Sequence, residues 1–218
     1  MGSRRLTPQG EERKADLLRQ AAELFAQRGY AGTRVSDIVK AAGVAKGLFY
    51  WYFENKDALF RELVEDTGRR LRDAQAVAVE GVTDPLERVY LGTLASVHFV
   101  AEHQRLYAFM QVESAQNEVL VKALRKTSEQ YVASVATLLR EGQHAGVVRD
   151  DDPAEALALG VLGTVSYFTY VQRVARLSTE SLAATAGRYV LHAIAASDAA
   201  IAAVEARERL DATSAKAG

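Results

Sequence analysis

Proline placement constrains this fold more than any other feature. The 218-residue chain has three prolines, in Thr7-Pro8, Asp84-Pro85 and Asp152-Pro153. Each follows a residue whose side-chain oxygen can cap a helix, and each precedes a long run with apolar residues at helical spacing. Proline suits the first helical position because its missing N–H has no intrahelical partner there. Asp84 and Asp152 are followed three residues later by Glu87 and Glu155, the spacing of a capping box. No stretch alternates apolar and polar residues as a half-buried strand would. The expected class is all-α.

Periodicity fills in the helices. Runs over about 8–28, 33–42, 56–80, 85–103, 104–114, 118–145, 153–177 and 179–209, with a short helix between the second and third, give about nine helices. Gly29 and Gly43 stop the first two. Residues 210–218, ending ATSAKAG, are expected as a flexible tail. The division expected is a small domain over 8–57, a larger one over 58–209, and that tail.

Composition narrows the chemistry. The chain has no cysteine, which excludes disulfides, thiolate metal sites and a cysteine nucleophile. Its net charge of −1 announces no nucleic-acid partner globally, but residues 1–60 hold ten Lys/Arg against seven Asp/Glu. The start, MGSRRLTPQGEERK, has no apolar signal region, so the cytoplasm is the expected compartment. The uncharged stretch 156–172 falls short of the ~20 apolar residues of a membrane span, so no membrane association is expected.

Residues 47–53, GLFYWYF, hold five consecutive aromatic side chains. Aromatics favour strands, but no second strand is available for pairing. A helical period sorts the run better. Phe49 and Phe53, four apart, share a buried face, while Tyr50, Trp51 and Tyr52 fan around the other side. Large rings facing water call for a covering partner. The preceding residues read, with this run, as helix, tight turn, helix: VSDIVKAAGVAKGLFYWYF. Ile38, Ala42, Val44 and Phe49 supply its apolar contacts and Gly43 the positive φ of the turn. Lys46 and Gly47 open the second helix, whose N–H groups favour a phosphate, and Lys56 adds a cation. The alternative is that Trp51 and Tyr52 cover a protein surface.

At these residues the chain resembles the TetR family of bacterial transcriptional regulators. The pattern falls at Leu24-Phe25, Gly29-Tyr30, Thr33, Ile38, Ala42-Gly43-Val44, Lys46-Gly47, Tyr50, Phe53, Lys56 and Leu59-Phe60. The resemblance spans residues 21–64 and implies an N-terminal three-helix DNA-binding domain and a C-terminal helical domain for effector binding and dimerisation. It implies phosphate contacts at Tyr50 and Lys56, base-edge proximity at Lys46 and Gly47, and a helix cap touching the DNA backbone at Thr33. The candidate DNA-binding set is Thr33, Arg34, Ser36, Ala45, Lys46, Gly47, Leu48, Tyr50, Trp51, Tyr52 and Lys56. Several residues depart from the family's habits: Ala45 replaces a common serine, Leu48 a frequent threonine, Tyr52 a common histidine and Val39 a usual alanine. Leu48 can offer only apolar contact, such as to a thymine methyl.

The resemblance also implies a dimer and a small-molecule pocket. Run 153–177 is apolar nearly all round, including Leu157, Leu159, Val161, Leu162, Val165, Phe168 and Val171, and run 179–209 is rich in alanine. The two are expected to pair with their two-fold mates. Candidate effector-pocket residues are His98, Phe99, Glu102, His103, Tyr107, Phe109, Met110, Glu113, Tyr131, Tyr167 and Tyr170, a mix of apolar walls and few polar groups. The same residues at helical spacing can equally be plain core. His98 and His103 are five apart, off the i, i+4 spacing of a helical metal site, so no metal, no cofactor and no catalytic residue is expected.

The expected function is a repressor that binds a palindromic double-stranded operator as a homodimer and is released by a small hydrophobic or aromatic effector, with helix 56–80 linking the two parts. The alternatives are an architectural or activator-type DNA binder without inducer, and an all-helical carrier of hydrophobic ligands.

Overall fold

The structure is a computed structural model. It describes residues 7–113, 118–175 and 177–217, with side chains described throughout except at 171–175 and 210–217. Ten helices follow one another among the described residues: α1 (Pro8–Arg28), α2 (Val35–Ala41), α3 (Lys46–Tyr52), α4 (Lys56–Ala78), α5 (Pro85–Glu102), α6 (Gln104–Glu113), α7 (Glu118–His144), α8 (Ala154–Ala175), α9 (Thr179–Ile194) and α10 (Asp198–Ala217). The all-α class holds, and no strand forms among the described residues.

Two of the three prolines open their helices as expected. Thr7 Oγ1 accepts from the Gly10 N–H at 3.2 Å, and Asp84 Oδ1 accepts from the Leu86 and Glu87 N–H groups at 2.9 and 3.3 Å. The third differs. The Pro153 carbonyl accepts the first helical bonds, from Ala156 at 2.9 Å and Leu157 at 3.2 Å, so this proline precedes α8 rather than starting it. Asp152 Oδ2 instead accepts from Arg149 Nη2 at 3.0 Å. Both glutamates carry ion pairs: Glu87 with Arg207 at 2.6 Å, and Glu155 with Arg140 at 3.6 Å.

The run expected over 179–209 is two helices. Ala195 is extended, with φ −65° and ψ 144°. A short antiparallel bridge diverts the chain there: the Arg149 N–H donates to the Ile194 carbonyl at 2.9 Å and the Ala196 N–H to the Val147 carbonyl at 3.0 Å. Ser197 Oγ then accepts from the Ala200 N–H at 3.2 Å and starts α10. That helix continues to Ala217, through most of the stretch expected as a tail; Gly218 lies outside the described residues.

The chain divides into two compact units. The first comprises the described residues of Met1–Arg69 and His103–Thr127. Its core gathers Leu17, Ala21, Phe25, Ile38, Phe49, Leu59 and Phe60 with Phe109, Met110 and Leu120. The second comprises the described residues of Arg70–Glu102 and Ser128–Gly218. Its main core gathers Leu86, Tyr90, Tyr131, Leu139, Val161, Leu191 and Val204, with a smaller cluster of Val97, Leu182, Ala183 and Ala186. The expected boundary at 57/58 thus falls inside the first unit. The physical reason is size: α2 and α3 have seven residues each, and closing a core over α1 takes the apolar faces of α4 and α6 as well.

Candidate nucleic-acid interface

The first unit builds a helix-turn-helix from the turn outward. α2 begins at Val35 with Arg34 as its cap residue, where the Arg34 N–H donates to Asp37 Oδ2 at 2.9 Å. The turn closes with the Val44 N–H on the Val39 carbonyl at 3.0 Å, and Gly43 takes φ 65°, a conformation that suits glycine. α3 follows. Phe49 is fully buried, and Phe53 lies 5.5 Å from it, ring to ring, as their four-residue spacing requires. Ile38 and Val39 hold α2 to the same core.

The opposite side of the motif faces water. Arg34, Ser36, Lys40, Ala45, Lys46, Gly47, Tyr50 and Trp51 are exposed, the last two at 51% and 54%, and Leu48 is half-buried. Lys46 Nζ lies 5.9 Å from the Tyr50 ring centre, one turn along the same stripe. Lys40 was not among the residues expected from sequence; its signal was the surface position between two inward-facing apolar pairs, Ile38-Val39 and Ala42-Val44.

Three residues expected at the DNA have partners within the protein. Thr33 is fully buried, and its Oγ1 donates to the Gly29 carbonyl at 2.9 Å; Arg34, not Thr33, caps α2. Tyr52 turns sideways, and its hydroxyl donates to the Gly10 carbonyl at 2.8 Å, tying α3 to the start of α1. Lys56 points inward: its Nζ donates to the Tyr30 carbonyl at 2.6 Å and the Thr33 carbonyl at 2.9 Å, and lies 4.1 Å from the Tyr30 ring centre. Burial holds the Lys56 ammonium below its ordinary pKa, against the opposing pull of Asp57 and Glu113. With two carbonyl partners this ammonium stitches the turn between α1 and α2 to the start of α4.

Tyr30 is the centre of that stitching. Its hydroxyl donates to Asp57, its backbone N–H donates to Glu113 Oε1 at 3.3 Å, and its ring packs on Phe25 and Phe60. Burial, then the bond to Asp57, pushes its hydroxyl above the ordinary tyrosine pKa. Phe109 stacks on Phe25 at 5.6 Å with 12° between planes.

The residues expected to line one effector pocket are divided between the two units. Phe109 and Met110 belong to the first unit's core, and Glu113 to the Tyr30 contact. His103 and Tyr107, also in the first unit, are half-buried. In the second unit, Tyr167, Tyr170, His98 and Glu102 are exposed. Phe99 and Tyr131 are buried there, and a polar group unforeseen from sequence accompanies Tyr131. Its hydroxyl is raised in pKa by burial and pulled back by hydrogen bonds with Ser96 and Gln75. Gln75 Nε2 donates to Ser96 Oγ at 2.9 Å, and Ser96 Oγ to the Gly92 carbonyl at 2.6 Å. A lone glutamine on a polar-looking helix gave no signal for this.

α8 leaves a long uncharged stripe open: Ala156, Leu159, Gly160, Gly163, Tyr167 and Tyr170 recur every three or four residues and are all exposed, as is Tyr189 on α9. The inward side of α8 presents Ala158, Val161 and Val165 instead; the side chain of Val171 lies outside the described residues. No helix among the described residues is long and apolar enough to cross a membrane, and no group of three or more metal-binding side chains occurs among them.

Comparison with known proteins places this geometry. The model of the bacterial regulatory proteins of the tetR family matches residues 17–63, from α1 into α4. The HTH-type transcriptional repressor DhaR of Mycobacterium sp. (strain GP1) is 30% identical over 144 residues, covering 65% of this chain and 73% of that protein. Among solved structures, the transcriptional regulator FadR of Bacillus subtilis, in complex with stearoyl-CoA, superposes with a TM-score of 0.71 at 22% identity, over 81% of this chain and 97% of that one. A regulator from Saccharomonospora viridis in complex with choline gives 0.67 at 20% identity, over 85% and 98%. An exposed α3 that opens with Lys46 on a buried phenylalanine anchor, a family match that runs through it, and a repressor relative at this identity agree: the chain is a DNA-binding transcriptional regulator of the tetR family.

Proposed function

We propose that this regulator is a homodimeric repressor that grips a palindromic operator through α3 and lets go when a small hydrophobic or aromatic effector binds the second unit. The carrying observation is the exposed stripe Lys46, Gly47, Tyr50 and Trp51 on a helix fixed by Phe49. Arg34, Ser36, Ala45 and Leu48 extend the contact; Tyr52, Thr33 and Lys56 position it from behind. Cations and hydroxyls there suit phosphate oxygens, while the ring faces suit base edges. Its workplace is the cytoplasm, where the chromosome is, and its activity is binding rather than catalysis.

The uncharged stripe on α8, with Tyr189 of α9, supports a two-fold interface: glycines at 160 and 163 allow close helix approach, and no charge needs to be desolvated along it. Two copies of α3 related by a two-fold axis require half-sites about one helical turn, ~34–36 Å, apart or a multiple of it. The effector reading is supported by the buried Tyr131, an aromatic ring whose hydroxyl meets the Gln75–Ser96 pair, the mix of apolar surface and few directional groups that a ligand site uses. The ligands held by the two solved relatives, an acyl-CoA and a quaternary amine, are too unlike each other for the fold to choose between them. α4 and α7 each run through both units, so they are the elements an effector would shift. A 100-fold loss of operator affinity requires the effector to favour the released state by about 2.7 kcal/mol, and DNA must weaken effector binding equally.

The test is selection of bound sites from random duplex DNA, followed by a screen of small molecules for release from the enriched site. A symmetric site with salt-dependent affinity supports the proposal. Binding to all duplexes alike, or a ligand that binds free and DNA-bound protein equally, counts against it.

A further inference from the structure

The outward face of α3 is short of hydrogen-bond acceptors. Residues 45–53, AKGLFYWYF, include no Asn, Gln, Ser, Thr, Asp, Glu, His or Arg. Phe49 and Phe53 are buried, and the Tyr52 hydroxyl is committed to the Gly10 carbonyl. What remains outward is the Lys46 ammonium and the Trp51 indole N–H, both donors only, and the Tyr50 hydroxyl, which can do both. In the major groove adenine and cytosine present amino donors. Guanine and thymine present acceptors instead, and thymine alone adds a C5-methyl group. The donors suit guanine and thymine alike, and the aromatic carbon adds a contact that only the thymine methyl group offers.

Trp51 is placed to make that contact. At ~100° per residue it lies roughly 200° around α3 from Phe49, opposite the core. Its ring meets Tyr52 edge-on, centroids 4.6 Å apart and planes at 88°, and Tyr52 is itself anchored to α1. The indole is thus braced from one side and half open on the other. Gly47, one turn earlier in the same stripe, leaves the flank clear: a Cβ there would meet no heavy atom within 4 Å. We propose that Trp51 sets sequence preference by packing its indole on the C5-methyl group of a thymine in each half-site. The inference rests on the DNA-binding reading above and deepens it.

The test uses the enriched duplex with each thymine replaced in turn by deoxyuridine, which removes the methyl group and nothing else. The expected result is one symmetry-related position where uracil weakens wild-type binding about four-fold per half-site, the size of one lost buried carbon. Trp51→Ala should bind more weakly and show no preference between thymine and uracil at that position. Tyr50→Ala, with the neighbouring ring removed instead, should keep the preference. Uracil tolerated at every position, or an undiminished preference in Trp51→Ala, overturns the inference while leaving the regulator reading intact. Failure of any duplex to enrich takes down the regulator reading and this inference with it.

Discussion

Two surfaces of this molecule leave aromatic rings in water, and they differ in what surrounds the rings. On α3, a helix of seven residues, Tyr50 and Trp51 are exposed with Lys46, and α2 exposes Lys40 and its cap residue Arg34 in the same motif. On α8, Tyr167 and Tyr170 stand on an uncharged stripe interleaved with Gly160 and Gly163, with Tyr189 of α9 exposed as well. Ring exposure alone says only that something covers each patch. Nearby charge says what: cations and donors suit a polyanion, and small apolar neighbours suit a second helix of the same kind.

That contrast can be broken by moving charge from one surface to the other. Tyr167→Asp puts two like charges across the proposed two-fold and should weaken self-association by about 100-fold or more, read by sedimentation at micromolar concentration. Operator affinity should fall with it, because two half-sites no longer act together. The same chain sedimenting unchanged would leave the α8 stripe without its proposed partner. Within the first unit, Lys56→Met and Lys46→Ala separate positioning from contact. Lys56→Met strands two turn carbonyls and should lower thermal stability by about 1–3 kcal/mol, with the salt dependence of DNA binding unmoved. Lys46→Ala should leave stability alone and reduce the salt slope by about 1. An interchange of these two outcomes would put Lys56, not Lys46, on the phosphates. Tyr50→Phe should weaken binding to specific and random duplexes alike by roughly five-fold, the worth of one hydrogen bond. Smallest in stability is Gly47→Ala: helix propensity predicts a gain of up to ~1 kcal/mol in melting experiments, while the added methyl group on the DNA-facing stripe should lower operator affinity. Unchanged affinity would mean that Gly47 does not approach the duplex.

Local rules made much of this legible before any coordinates. The four-residue spacing of Phe49 and Phe53, the glycine at 43 and the caps at Thr7 and Asp84 each follow from the chain within one or two turns of themselves, and each is where spacing put it. Long-range partners were not legible. Nothing near Lys56 in sequence says that the Tyr30 and Thr33 carbonyls will claim its ammonium, or that Gly10 will take the Tyr52 hydroxyl across 42 residues. The pocket residues illustrate the same limit. Helical spacing identified 98–113 as apolar with polar interruptions, but the break between α5 and α6 sends Phe99 to one unit and Phe109 to the other. Ser96 and Gln75 meet only because two helices bring them together, a fact that neither residue's neighbours encode.

Tyr30 offers a last mechanical point. One residue in the corner between α1 and α2 is held by its amide to Glu113 at the end of α6, by its carbonyl to Lys56 and by its hydroxyl to Asp57, both at the start of α4. A hinge fastened at three points cannot swing alone. Any tilt of the reading helices about this corner must drag those two helix ends along or tear all three fastenings together, so the corner behaves as a rivet that joins α1 and α2 to the start of α4.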